Sequence, residues 1–208
     1  MSELTVLTSA AWMCLFGVMS PGPSFVAITS KSLVAKRKQL FWLTTGIALI
    51  NGLWAACALF GLKALMTQFP ILLRAIQIFG AAYLAWFGYR LIRSSITRGN
   101  VESSNEVDTR SSNDLSTSFF KQGIFTNLSN PKSLLFYSSV FSVAIPEGTD
   151  TRVLLELIVV VFVVSLSWYA SLAFMLTTPT IQTAFSRLQN IITNTCGLAL
   201  IVFAGLQL

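Results

Sequence analysis

The residues of this chain best suited to chemistry are two proline motifs set in otherwise apolar segments, and their chemistry is binding, not bond making. Ser20-Pro21-Gly22-Pro23-Ser24 interrupts the first hydrophobic segment, and Ser129-Asn130-Pro131-Lys132-Ser133 interrupts the fourth. A proline inside a helix removes one backbone hydrogen bond and clashes with the preceding turn. In hydrocarbon the carbonyls it frees must be met by protein or by a water-lined cavity. Pro21-Gly22-Pro23 is a double break, in which Gly22 permits backbone angles that a helix forbids. The segment beginning at Ser24 then has a fresh N-terminus, whose N–H groups and partial positive charge suit a carboxylate. The same holds beyond Pro131. Two such ends meeting near the bilayer midplane would grip a small zwitterion, with unwound carbonyls receiving its ammonium. Prolines that only kink helices for packing are the plainer alternative.

Polar side chains within apolar spans face a cavity or another helix. Asn51, Asn127 and Asn130, near the breaks or on the second span, are the ones taken as ligands. Gln77, Asn194, Ser165 and Ser167 serve equally well as interhelical hydrogen bonds. Trp54 and Trp168 sit mid-span and either pack or line a solute path. Lys132 lies well inside its span, where a lysine costs ~2.5–3.5 kcal/mol to insert. It either snorkels to the surface or faces an aqueous cavity that attracts carboxylates. The expected binding set is therefore Pro21, Gly22, Pro23, Ser24, Asn51, Asn127, Asn130, Pro131 and Lys132.

Catalysis, metal binding and cofactors are not expected. The chain has no histidine, no acid deeper in a span than Glu156 and no GxxxxGK[ST] motif. A hydrolytic site would need a base, a nucleophile pair or metal ligands. Cys14, Cys57 and Cys196 fall one per span without CxxC spacing and are expected as small buried apolar residues.

These residues need a membrane to position them. With 54% hydrophobic and 11% charged residues in 208, and a mean hydropathy of +0.70, the chain is too apolar for a soluble domain, whose charged share is about 25%. Six apolar stretches approach the roughly 20 residues that cross a bilayer: Leu4 to Ile28, Leu40 to Leu65, Ile71 to Ile92, Phe119 to Val143, Val153 to Leu176 and Leu188 to Leu206. No Lys or Arg precedes Lys31, so the first stretch lacks the basic head of a signal peptide and is expected as a retained helix. Residues 94–118 turn polar and cannot bury enough surface to order themselves. The expected organisation is a three-helix unit over 1–93, a cytoplasmic linker over 94–118 and a second three-helix unit over 119–208.

An odd number of spans per half inserts the second half in the opposite sense, which is the topology of an inverted repeat. Aligning Pro23 with Pro131 sets Ser24 against Lys132, and further on Trp54 pairs with Trp168 and Gln77 with Asn194. Gly80 and Gly88 share their spacing with Gly197 and Gly205. The net charge of +6 could suit nucleic acid, but its placement answers to the bilayer. With the N-terminus outside, Lys31, Lys36, Arg37, Lys38, Arg90, Arg93, Arg98, Arg110, Lys121 and Arg187 all fall on the cytoplasmic side, and Lys63, Arg74 and Arg152 outside. Both termini are thus expected in the periplasm, with lipid and a small solute as partners and no nucleic acid. The small residues Gly46, Gly61, Gly80, Gly88, Gly197 and Gly205 permit close helix contacts; on the third and sixth helices they would permit a homodimer or equally serve internal packing.

Met19-Ser20-Pro21-Gly22-Pro23, Lys36-Arg37-Lys38 before Gly46-Ile47-Ala48-Leu49, then Trp54, Gly61, Gly123, Asn127-Leu128 and Asn130-Pro131-Lys132 resemble the lysine exporter and homoserine/threonine exporter (LysE/RhtB) family. The resemblance covers nearly the whole chain and is strongest to the threonine-exporter branch. It implies a bacterial inner-membrane exporter of amino acids driven by the proton gradient, with Pro21, Gly22, Pro23, Asn127, Asn130, Pro131 and Lys132 in the pathway. One departure stands out: where the family often has glycine and aspartate after the position of Gly46, this chain has Ile50 and Asn51. An amide exchanges no proton near neutral pH. The expectation is an all-α carrier of small neutral amino acids working by alternating access, with a passive pore or a non-transporting scaffold as alternatives.

Overall fold

The computed structural model describes residues 3–32, 35–68, 70–97, 115–146 and 148–206. Residues 98–114 of the expected linker and the side chains of Lys63, Arg74, Gln77 and Arg187 lie outside the described residues. Eight helices and no strand occur among them: α1 (Glu3–Met19), α2 (Pro23–Ser32), α3 (Arg37–Gln68), α4 (Pro70–Thr97), α5 (Leu115–Leu128), α6 (Pro131–Ala144), α7 (Thr151–Met175) and α8 (Pro179–Leu206). The helices flanking the linker run into it, α4 through Thr97 and α5 from Leu115.

Prolines set the boundaries. Four of the six open a helix, at Pro23, Pro70, Pro131 and Pro179, where the missing N–H is one the first turn would leave unpaired anyway and the fixed φ is already helical. Pro70 follows Pro23 by 47 positions and Pro179 follows Pro131 by 48. Both expected breaks are present: α1 and α2 meet at a 60° bend, and α5 stops at Leu128 before α6 begins at Pro131.

Polar and apolar residues are distributed as lipid, not water, requires. On α7 Ser165 is fully buried while Val159 and Val163 are more than half exposed, and Asn51, Asn127 and Thr44 are buried while Trp12, Phe125, Ile191 and Leu198 face outward. In water such an apolar exterior would drive association; in hydrocarbon it is the solvated face. By length and composition α3 over Arg37–Leu62 and α7 each suffice to cross a membrane, as does the bent α1–α2 pair taken together.

Central α3 packs on α5, α6 and α7, while α4 packs on α8 and α6, and α1 on α7. Two crossings are backbone to backbone. A Cβ on Gly46 would strike the Phe120 carbonyl and one on Gly123 the Leu43 carbonyl, so α3 and α5 notch into each other. A Cβ on Gly88 would strike the Gly197 carbonyl, which closes α4 on α8. Of the two uses foreseen for small residues on the third and sixth helices, Gly88 and Gly197 thus serve the internal one. Gly61 and Gly205 face open space instead, with nothing among the described residues for a Cβ to meet within 4 Å, and Cys57 is exposed, unlike buried Cys14 and Cys196. Both expectations erred because helical spacing alone does not say which face meets lipid.

Candidate functional site

At the end of α1 the helix stops because Pro21 and Pro23 supply no amide donors in two of three successive positions. The carbonyls of Ser20 and Pro21 are left without helical partners, and both turn to Lys132. Its Nζ donates to Ser20 O at 3.1 Å, Ser20 Oγ at 2.6 Å and Pro21 O at 3.3 Å. The lysine stem folds over Gly22, where an added Cβ would lie 3.1 Å from Nζ, and the ammonium sits 5.0 Å from the centre of the Phe87 ring on α4. Lys132 therefore points inward to the opposite break, so of its two foreseen placements the structure has the interior one.

The second break is ordered by asparagines. Asn130 caps α6 in extended geometry, its Oδ1 accepting from Lys132 N at 3.1 Å while its carbonyl accepts from Ser133 N, as an N-cap does. The Lys132 and Ser133 amides at the start of α6 are thus engaged by its own cap, which leaves fewer donors for an anion beyond Pro131 than the sequence suggests. Sequence spacing could not separate an asparagine that meets a ligand from one that meets its own helix. At α2, by contrast, Val26 N bonds back to Gly22 O, and the amides of Ser24 and Phe25 have no acceptor among the described residues.

Asn127, fully buried at the end of α5, joins four elements. Its Nδ2 donates to Ile47 O at 2.9 Å and Asn51 Oδ1 at 2.7 Å on α3. Its Oδ1 accepts from Ser133 Oγ at 2.7 Å on α6 and, more weakly, from Ser24 Oγ at 3.4 Å on α2. Asn51 passes the chain to Ser165 of α7 at 3.0 Å, and Trp54 Nε1 donates to Asn127 O at 3.3 Å. The Asn127 amide has all its hydrogen-bonding capacity engaged, which makes it a brace between the halves.

Between the breaks lies a cavity of about 20 Å³, lined among others by Ser20, Gly22, Ser24, Phe25, Asn51, Asn130, Lys132, Ser133, Tyr137 and Tyr169. That volume holds about one water. The buried Tyr137 hydroxyl has no hydrogen-bond partner among the described residues, a costly arrangement unless a polar guest meets it. Of the expected set, Gly22, Ser24, Asn51, Asn130 and Lys132 line this cavity. Pro21 contributes its carbonyl to Lys132, Pro23 and Pro131 open the two half-helices, and Asn127 stands behind the lining. Ser20, Ser133, Tyr137 and Tyr169 were missed. Ser20 and Ser133 stood inside the proline motifs themselves, and Tyr137 six residues beyond Pro131 was a hydroxyl carried into an apolar span. Trp168 does not reach the cavity; it lines an apolar groove between α1 and α7.

An amide brace and two breaks facing each other enclose a polar hollow suited to holding a small polar molecule. The sequence pattern described as LysE type translocator matches residues 15–208. The threonine efflux protein of Escherichia coli strain K12 is 29% identical over 203 residues, 97% of this chain and 95% of that one. That of Salmonella typhi is 28% identical over the same length, and the leucine efflux protein of Enterobacter sp. strain 638 is 28% identical over 126 residues, 61% of this chain and 57% of that one. No solved structure matches. With an all-helical frame broken at two facing prolines and a family match across nearly its whole length, this chain belongs to the LysE type translocators.

Proposed function

We propose that the chain exports small neutral amino acids of the threonine and homoserine kind across the bacterial inner membrane by alternating access, using the hollow between the two breaks as its binding site. The observation that carries this is the convergence of both breaks on one buried polar cavity. The solute's carboxylate meets the amides of Ser24 and Phe25 at the start of α2, where the helix dipole favours it. Asn51 and Asn130 supply directed hydrogen bonds to its remaining groups, with Asn127 holding Asn51 in place. At about 20 Å³ the cavity is too small for an amino acid, so this conformation is a closed one between two access states.

Two inverted three-helix repeats would supply the rocking parts. Their support is the matching offset of Pro70 and Pro179 from the two breaks, and the packing of α3 on α7 and α4 on α8, helices of equal rank in their halves. The excess of Lys and Arg on one side supports both termini in the periplasm. Proton coupling would have to run without a carboxylate among the described residues that line the cavity.

The test is efflux of radiolabelled threonine, homoserine, serine and lysine from liposomes containing the purified protein. Saturable efflux of the first three with counter-exchange, and at least about tenfold slower lysine, is expected; no movement of any of them would overturn the proposal, and unsaturable flux without exchange would make the protein a pore.

A further inference from the structure

An exporter that cycles must also return without its solute, and the end of α1 has to be stabilised on that return. Carbonyls unwound from a helix inside hydrocarbon are costly when unmet. Here they are met by a side chain from the other half of the molecule. The Lys132 ammonium has three N–H donors, and it finds three oxygens: Ser20 O, Ser20 Oγ and Pro21 O. Ser20 Oγ is held as an acceptor because its own proton goes to Gly17 O at 2.6 Å. All three oxygens are uncharged, and the remaining face of the ammonium looks onto the Phe87 ring at 5.0 Å, where a cation over an aromatic face is favoured. No acidic residue falls in either break or in α6. The pocket is therefore built for a primary ammonium and does not depend on a carboxylate to hold it.

The same break carries, one turn further on, the amides of Ser24 and Phe25, and the cavity touches Ser20, Ser24, Phe25 and Lys132 together. A solute with its carboxylate on those amides would have its α-ammonium within the same small cavity as the Ser20 and Pro21 oxygens that Lys132 Nζ now meets. We infer that Ser20 and Pro21 form a primary-ammonium site occupied in turn by the solute's α-ammonium and by Lys132, so that the carrier returns with its own lysine standing in for the solute. This rests on the export function proposed above. With the tethered cation, solute-free return is fast and net efflux matches exchange. Without it, the oxygens are stabilised only when an amino acid is bound, and the protein becomes an exchanger.

The test compares efflux of radiolabelled threonine from proteoliposomes into threonine-free buffer with efflux into buffer containing unlabelled threonine. For the unaltered protein the two rates should agree within about twofold. In Lys132→Met, which keeps the length of the stem and removes the charge, external threonine should accelerate efflux at least tenfold. Ser20→Ala removes the shortest of the three contacts and should give a smaller acceleration, of about threefold. An unaltered protein that effluxes only in exchange, or two variants neither of which shows acceleration, would overturn the inference. An unaltered protein that moves no threonine, homoserine or serine would instead overturn the export function itself.

Discussion

Asn127→Ala is expected to lower threonine efflux at least thirtyfold and to lower the midpoint of thermal unfolding of the purified protein. The substitution takes donors from Ile47 O and Asn51 Oδ1 and an acceptor from Ser133 Oγ and Ser24 Oγ in one step. An interhelical hydrogen bond in a membrane protein averages about 0.6 kcal/mol, and a buried polar group left unpaired costs about 1–3 kcal/mol, so the loss comes to several kcal/mol. Tenfold in rate corresponds to about 1.4 kcal/mol, and even part of that loss felt in the transport cycle exceeds the stated factor. Ser24, whose bond is long, is the least affected partner; Asn51 loses the acceptor half of its orientation and with it the register of its bond to Ser165. Efflux assays together with unfolding followed by intrinsic fluorescence check both effects. Normal flux from Asn127→Ala would show that the brace is dispensable.

The second large effect is steric. Gly123→Leu should prevent accumulation of folded protein or leave it without flux, whereas Gly61→Leu should resemble the unaltered chain. At position 123 the obstruction is the backbone carbonyl of Leu43, which has no rotamer to change, so α5 must move as a body. Overpacking of an ordinary core costs about 1–3 kcal/mol. Here the displacement also draws Asn127, four residues on and on the same face of α5, away from Ile47 and Asn51. Gly61 has nothing among the described residues within 4 Å of an added Cβ, so it serves as a control for leucine in a membrane helix. Yield of monodisperse protein and its unfolding midpoint distinguish the two variants.

How much of this was legible in the sequence follows the range of the forces involved. The breaks at Pro21 to Pro23 and at Pro131 were readable because the loss of an amide and the clash of a pyrrolidine ring act within one turn. So was the candidacy of Ser24, Asn51, Asn130 and Lys132, all of which the fold brings to one hollow. What depended on distant partners was not readable. Lys132 meets Ser20 across 112 positions of chain, and nothing near residue 132 says whether its stem turns outward or inward. Asn130 looked like a ligand and is first of all the cap of its own helix. Tyr137 and Tyr169 enter the cavity from α6 and α7 at positions that, read in one dimension, are two more aromatic residues in apolar spans. Gly46 and Gly61 share a helix and a residue type, yet one is notched against α5 and the other faces outward; only the packed arrangement separates them.

The central claim is that a hollow between the two breaks opens by turns to each side of the membrane, and cysteine accessibility tests it most directly. In a chain with Cys14, Cys57 and Cys196 replaced by alanine, Ser24→Cys sits at the start of α2 on the cavity wall, where the native hydroxyl makes a long, 3.4 Å contact to Asn127. A small membrane-impermeant thiol reagent should label it in right-side-out and in inside-out vesicles alike, and threonine should slow both reactions at least fivefold. Labelling from neither side, or labelling that threonine leaves unchanged, would contradict the account.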